Sequence, residues 1–323
     1  MALKILVLGA GATGAVFGGR LVEAANAGKA AVDVTFLVRP ARAQALAERG
    51  LVFRRATGEV TLPVQSIVAI AADARYDLVL LSCKSYDLDS AMTSIAPAVG
   101  PETLVLPLLN GLGHFDRLDQ RFGRDRVLGG LCYLAGSLGD DGVIAQLGAV
   151  ERIIYGTRKG NMQTSRARLE QLHAAFRQTP VDCHLSDDIL QDVWEKYVFL
   201  TSLAAMTCLM RASIGDIVAT DDGEAIMKRA VAECEAAANA AGHPSRRDVL
   251  KQTKAQLTEP NSPATASMLR DLEAGRRIES GHIVGEMLLR ARLAGSDATV
   301  LQLAWANLQA RDLRLARENP PKS

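Results

Sequence analysis

The stretch Leu3-Lys-Ile-Leu-Val-Leu8, followed by Gly9-Ala10-Gly11-Ala12-Thr13-Gly14, decides the fold. Six mostly apolar residues predict a buried strand, and the residues from there to about Ala27 predict a helix. Between them lies G-x-G-x-x-G. Gly9 suits the tight turn, Gly11 lets the backbone approach a pyrophosphate, and Gly14 lets the helix pack closely on the strand, with the anion at the helix N-terminus. Alone, the motif is weak and also describes a glycine-rich packing turn. Between a strand and a helix it predicts a dinucleotide site at Gly9, Ala10, Gly11, Ala12, Thr13 and Gly14.

The rest of the chain sets the context. Its 323 residues, 48% hydrophobic and 23% charged, suit two soluble globular domains. Thirty-seven Lys plus Arg balance 36 Asp plus Glu, so the overall charge has no pull for nucleic acid or a membrane surface. No stretch reaches about 18 uncharged residues, and the first residues read as a strand rather than a signal peptide, which predicts a cytoplasmic protein. Cys83, Cys132, Cys183, Cys208 and Cys234 are scattered without metal-ligand spacing and read as buried thiols, with no metal expected.

A second strand, Asp33–Val38, ends in Arg39-Pro40, where this architecture meets the adenosine ribose. An acidic residue there would accept the 2′-hydroxyl of NAD. Arg39 instead suits a 2′-phosphate and favours NADPH, although a solvated arginine at a strand end is the plain alternative. A helix Ala41–Arg49 and a hairpin, Leu51–Arg54 with Glu59–Leu62, follow. The strands Asp77–Ser82 and Thr103–Leu109 carry Lys84 and Asn110 just beyond their carboxyl ends, where ligands gather in such sheets. Taken singly, Lys84 reads as a solvated lysine and Asn110 as a turn residue. Further strands are expected at Val127–Cys132, Val143–Leu147 and Arg152–Tyr155, the last ones antiparallel, with a helix at Ser165–Gln178. Residues 1–186 thus read as an α/β, Rossmann-type dinucleotide-binding domain.

From Asp187 the strands stop, and residues 187–323 read as an all-helical domain. Its first helix, Asp188 to about Met210, is apolar nearly all round, with Lys196 as its conspicuous charge. A capped restart is expected at Ser213–Asp216. Helices are expected at Asp221–Ala240, Asp248–Gln256, Ala264–Ala274, Glu279–Ala294 and Ala298–Arg317, with a frayed tail from Glu318. An apolar helical domain also suits a homodimer.

Taken together, Gly9–Gly14, Leu37-Val-Arg39, Ser82-Cys-Lys-Ser85, Leu109-Asn-Gly-Leu-Gly113, Val193-Trp-Glu-Lys196, Ser267-Met-Leu-Arg-Asp271 and Arg277-Ile-Glu279 make the chain resemble the ketopantoate reductases over essentially its whole length. The resemblance implies NADPH-dependent reduction of 2-dehydropantoate to pantoate, a step of pantothenate biosynthesis. It implies Arg39 at the 2′-phosphate and Lys84, Asn110 and Ala135 at the cofactor, with Asn110 also near the substrate. It further implies Lys196 as the catalytic lysine, Ser267 at the substrate carboxylate, and Glu279 beside the lysine and the nicotinamide ribose. The chemistry asks for such groups. Negative charge builds on a ketone oxygen as hydride arrives, and a lysine with a free pKa of about 10.4 stays protonated to polarise the carbonyl and supply the proton. A nearby carboxylate holds that ammonium in place.

One part of the pattern is missing. The family carries asparagines four and eight residues after the lysine and another before the following Gly-Glu-Leu. Here these are Leu200, Ala204 and Ile214. Positions i, i+4 and i+8 share a helix face, so the surface used for the hydroxyl of ketopantoate has become aliphatic. Thr201 and Ser202 turn away from that face, and Thr207 lies about 16 Å along the axis. A site without hydroxyl partners also stops rejecting analogues that lack the hydroxyl. Ketopantoate remains the leading substrate, with a more apolar 2-oxo acid, another carbonyl or imine, and a non-catalytic NADPH-binding regulator as alternatives.

Overall fold

The structure, a computed structural model, describes residues 2–158 and 163–318. The backbone falls into two units. One comprises Met1–Leu109 with His114–Leu190, the other Asn110–Gly113 with Gln191–Ser323. The tail expected to fray lies, beyond Glu318, outside the described residues.

The first unit runs β1 (Leu3–Leu8), α1 (Ala12–Asn26), β2 (Val32–Leu37), α2 (Pro40–Arg49), β3 (Leu51–Arg55), β4 (Gly58–Leu62), β5 (Gln65–Ile67), β6 (Leu78–Leu81), α3 (Leu88–Ile95), β7 (Leu104–Pro107), α4 (His114–Phe122), β8 (Gly129–Leu138), β9 (Ile144–Gly156), α5 (Gln163–Phe176) and β10 (Asp182–Leu185). Five strands form a parallel sheet in the order β5-β2-β1-β6-β7. Ile5, Leu6 and Val7 are fully buried, which is why β1 reads as a continuous apolar run and not as an alternation. In-register pairing sets the ends of β2, β1 and β6 side by side, Leu37 beside Leu8 and Leu8 beside Leu81.

A second sheet has the order β10-β9-β3-β4, with β8 antiparallel to β9. The hairpin of β3 and β4 pairs Leu51 with Leu62 and Arg55 with Gly58, as its sequence predicts. The two strands expected at Val143–Leu147 and Arg152–Tyr155 are instead one strand of 13 residues. Gly148 lies between the two expected segments. In the sheet its bare backbone lies where a Cβ would come 3.2 Å from that of Ala135, close to the bulge between Leu134 and Gly136, so the strand passes the irregularity unbroken. Buried Glu151 on β9 receives two hydrogen bonds from Arg20 of α1, at 2.8 and 2.7 Å, tying this sheet to the first helix.

The helical unit is built from α6 (Ile189–Met210), whose first two residues group with the first unit, α7 (Ile214–Val218), α8 (Gly223–Ala240), α9 (Arg247–Leu257), α10 (Ser267–Glu273), α11 (Glu286–Leu293) and α12 (Thr299–Glu318). Val193, Trp194, Tyr197, Val198 and Ala204–Met206 are all buried, as an all-round apolar helix must be. Ser213 and Asp216 close the expected capping box at α7. Glu233, buried on α8, accepts the backbone N–H groups of Val300 and Leu301 and caps α12.

Two helices depart from expectation. α10 starts at Ser267 and not Ala264, because the carbonyls of Ser262 and Ala264 accept from Gly215 and Ile214 and leave that segment extended. The helix expected at Glu279–Ala294 opens with a π turn, Gly281–Gly285, before α11. The Tyr197 hydroxyl donates to the carbonyls of Ile283 at 2.8 Å and His282 at 3.3 Å, acceptors that a regular helix gives to its own N–H groups. Among the thiols, Cys132, Cys208 and Cys234 are buried, whereas Cys83 and Cys183 are half-buried. No helix among the described residues is long and apolar enough to cross a membrane.

Candidate active site

In the first unit the glycine loop leaves β1 at Gly9, whose φ of +89° is a conformation that side chains disfavour. Ser82, at the end of β6, donates its hydroxyl to Leu8 O at 2.8 Å and braces the loop from the neighbouring strand. Gly14 has no room for a side chain, since a Cβ there would stand 2.3 Å from Gly9 O and 2.4 Å from Ser82 Oγ. Gly11 is the opposite case, with nothing within 4 Å of its would-be Cβ. It is the N-cap of α1 and has no side-chain cap, so no side chain of the cap residue covers the positive end of the helix dipole. That cradle fits a pyrophosphate. Gly136 of β8 lies beside it, a Cβ there being 3.9 Å from Ala12 Cβ, whereas the neighbouring Ala135 side chain meets Gly148 of β9.

One strand over, Arg39 forms the N-cap of α2 ahead of Pro40. Its side chain is 80% exposed and meets Asp87 Oδ2 at 3.1 Å. Lys84 is exposed just beyond β6. Arg39, the glycine loop and Lys84 thus follow the carboxyl ends of three adjacent strands. Sequence reasoning missed Arg42, whose guanidinium donates to Ala10 O at 3.2 Å and Gly142 O at 2.8 Å, pinning the glycine loop to the turn between β8 and β9. Burial and nearby Arg49 push its pKa below the usual arginine value. Its only sequence signal is its place three residues after Arg39.

In the helical unit Lys196 is half-buried on α6, and its Nζ donates to Asn110 Oδ1 at 3.1 Å. The loop Asn110–Gly113 is gripped at both ends. Asn110 O accepts from His282 Nε2 at 2.7 Å, and Gly113 N donates to Glu286 Oε2 at 3.1 Å. Gly111, at φ +74°, passes so close to His282 that a Cβ would lie 3.1 Å from the ring. Arg290 donates to Glu286 Oε1 and lies over the Trp194 ring, its guanidinium carbon 5.4 Å from the centroid. His282 and Glu286 were also not anticipated, since on a helix each reads as an ordinary polar residue.

Glu279 is buried at the head of the π turn, and its carbonyl accepts from Ile283 N at 3.0 Å. Ser267 is exposed at the first position of α10, whose N-cap residue Ala266 donates its N–H to Thr207 Oγ1 at 3.5 Å. Next to Lys196, Glu195 is buried. Burial raises its pKa, but hydrogen bonds from Arg246 and Gln191 outweigh that and hold it below the usual carboxylate value.

The face leading from Lys196 is narrower than helical spacing suggests. Leu200 is half-buried, whereas Ala204 and Ile214 are 0% and 2% exposed, so only Leu200 of the three borders open space. Thr201, Ser202 and Thr207 are all buried, and Ser202 and Thr207 donate to Val198 O and Leu203 O within the helix. Among the described residues no group of three His, Cys, Asp or Glu side chains could hold a metal ion.

Comparison with known proteins identifies the family. The family Ketopantoate reductase PanE/ApbA matches residues 5–160, and its C-terminal counterpart matches residues 188–312. The Uncharacterized oxidoreductase YkpB of Bacillus subtilis (strain 168) is 32% identical over 95% of this chain and 98% of its own. A 2-dehydropantoate 2-reductase of Halobacterium salinarum is 30% identical over 90% of this chain and 92% of its own. The crystal structure of 2-dehydropantoate 2-reductase from Geobacter metallireducens GS-15 superposes with a TM-score of 0.83 at 30% identity, covering 95% of this chain and 99% of that one. The ternary structure of D-mandelate dehydrogenase with NADH and anilino(oxo)acetate shares the fold, with a TM-score of 0.83 at 19% identity over 97% of this chain and 99% of that one. The chain belongs to the ketopantoate reductase family, oxidoreductases that act on CH–OH groups.

Proposed function

We propose that this protein is an NADPH-dependent reductase of 2-oxo acids, with 2-dehydropantoate as the leading substrate and pantoate, for pantothenate biosynthesis, as its product. The observation that carries this reading is the Lys196–Asn110 hydrogen bond of 3.1 Å on a buried apolar helix. An ammonium carries three N–H donors, and a fixed acceptor such as Asn110 Oδ1 orients the group as a donor toward a substrate carbonyl. Gly9 to Gly14 would hold the pyrophosphate, with Ala135 at the cofactor as the family resemblance implies. Arg39 would take the 2′-phosphate in place of Asp87, with Lys84 on the same edge. A nicotinamide held there supplies hydride. Lys196 polarises the ketone and gives its proton to the developing alkoxide, Asn110 orients the lysine, and buried Glu279 would help to hold the ammonium in place. Ser267 at the first position of α10 suits the substrate carboxylate. A sensor of the nucleotide would need the glycine loop and Arg39 but no proton donor.

A second reading, a more apolar 2-oxo acid, rests on Leu200, which presents an aliphatic surface one turn from Lys196 while the nearby hydroxyls are buried. Steady-state NADPH oxidation across a panel of 2-oxo acids separates the two. A clear preference for ketopantoate over 2-oxoisovalerate, which lacks the hydroxyl, eliminates the apolar reading, and the reverse order eliminates ketopantoate. NADH must be run in parallel, being the nucleotide of the D-mandelate dehydrogenase structure.

A further inference from the structure

Four hydrogen bonds in the helical unit close a circuit that starts and ends on consecutive residues of α6. Lys196 Nζ reaches Asn110 Oδ1 at 3.1 Å, and Asn110 O is held by His282 Nε2 at 2.7 Å. The carbonyls of His282 and Ile283 are held in turn by the hydroxyl of Tyr197, at 3.3 and 2.8 Å. A carbonyl can only accept, so the His282 ring carries its hydrogen on Nε2. The π turn is part of the same arrangement. Glu286 N bonds back to Gly281 O, five residues away, and the Tyr197 hydroxyl takes the two carbonyls within that widened turn.

We propose that His282 is a positioning residue that aims Lys196 through Asn110. This rests on the reading of Lys196 as proton donor. Asn110 sits on a loop with glycines at two of its four positions, and Gly111 holds a positive φ, so the loop's own conformational preferences do not fix the amide. What fixes it is the imidazole at one end and Glu286 at the other, both carried by the segment that Tyr197 props open. His282 also fills the space against which Gly111 packs, with the ring 3.1 Å from the position of a Cβ. Without the donor the Asn110 carbonyl turns to find another partner, its side-chain oxygen turns with it, and the ammonium loses an acceptor that helps to orient it. Remote misplacements of about 1 Å cost up to ~100-fold in rate.

The test compares His282→Met with His282→Gln, two unbranched side chains of similar length of which only glutamine can donate. The assay is turnover of the 2-oxo acid that the wild type reduces best. His282→Met is expected to lower kcat by roughly 10- to 100-fold while leaving the KM for nicotinamide cofactor within about twofold. His282→Gln is expected to restore most of the loss. A wild-type kcat in His282→Met, or an equal loss in His282→Gln, overturns the proposal. Should His282→Met show no cooperative melt, Tyr197→Phe cuts the same circuit one bond away, and an unchanged kcat there overturns it equally. Lys196→Met separates this from the functional reading: turnover that survives Lys196→Met refutes the proton donor, whereas turnover lost there and kept in His282→Met refutes only the positioning.

Discussion

Replacing Gly11 and Gly14 separately by alanine distinguishes a glycine kept for a ligand from a glycine kept for packing. At Gly14 a methyl group would lie 2.3 Å from Gly9 O and 2.4 Å from Ser82 Oγ, and the first of these is backbone that cannot swing aside. Alanine gains about 0.5–1 kcal/mol of intrinsic helix preference over glycine. Overpacking of this kind costs about 1–3 kcal/mol, and moving the loop also strains the Ser82 to Leu8 hydrogen bond, so the clash wins. At about 2–4 °C per kcal/mol for a unit of this size, Gly14→Ala should melt a few degrees below wild type without any ligand. At Gly11 the added methyl meets nothing within 4 Å, and φ −77° with ψ −173° is open to alanine. Alanine is the poorer N-cap but lowers the entropy of the unfolded chain, two effects of under ~1 kcal/mol that oppose each other. Gly11→Ala should therefore melt within about 2 °C of wild type yet bind NADPH at least tenfold more weakly, because the methyl occupies the approach to the α1 amides. Thermal melts without ligand and titration calorimetry with NADPH read both quantities. Wild-type affinity in Gly11→Ala, or a Tm loss matching that of Gly14→Ala, refutes the assignment of this loop to a pyrophosphate.

Arg39→Ala should weaken NADPH selectively over NADH, and equal effects on both nucleotides would argue against a 2′-phosphate contact. Asp87→Asn releases the guanidinium from an exposed ion pair worth about 0.2–1 kcal/mol and should tighten NADPH by up to about fivefold; weaker binding would show that Asp87 holds Arg39 ready and does not compete with the phosphate. Leu200→Asn returns one amide to the half-buried position beside Lys196, and a hydrogen bond of about 1 kcal/mol should shift kcat/KM toward ketopantoate over 2-oxoisovalerate by about fivefold. An unchanged ratio would place the substrate side chain elsewhere. Glu195 has a folded-state pKa held below that of the unfolded chain, so its stabilising contribution is complete above about pH 4.3 and is lost as pH falls through the folded value. The Tm gap between wild type and Glu195→Gln should therefore narrow on acidification, and a gap that is constant or widens contradicts the pairing with Arg246.

What could be read in the sequence divides along a physical line. The glycine loop, the buried parallel strands and the capping box at Ser213 were legible because each depends on residues within a few positions of one another. The π turn was not, because its cause is a hydroxyl 86 residues away in sequence that claims the carbonyl of Ile283. Likewise the delayed start of α10 reflects carbonyls spent on Ile214 and Gly215, which no periodicity in Ala264–Ala274 could reveal. His282 and Glu286 stayed hidden for a related reason: their importance lies in backbone groups of Asn110 and Gly113, which every residue type shares. The substituted asparagine positions make the sharpest case. Spacing correctly assigns Leu200 and Ala204 to neighbouring turns of one helix face, but spacing does not say how far along that face the surface stays open. Ala204 is fully covered, so the aliphatic change near Lys196 comes down to the one side chain that remains in view. The substrate question therefore turns on Leu200 before it turns on the other two positions.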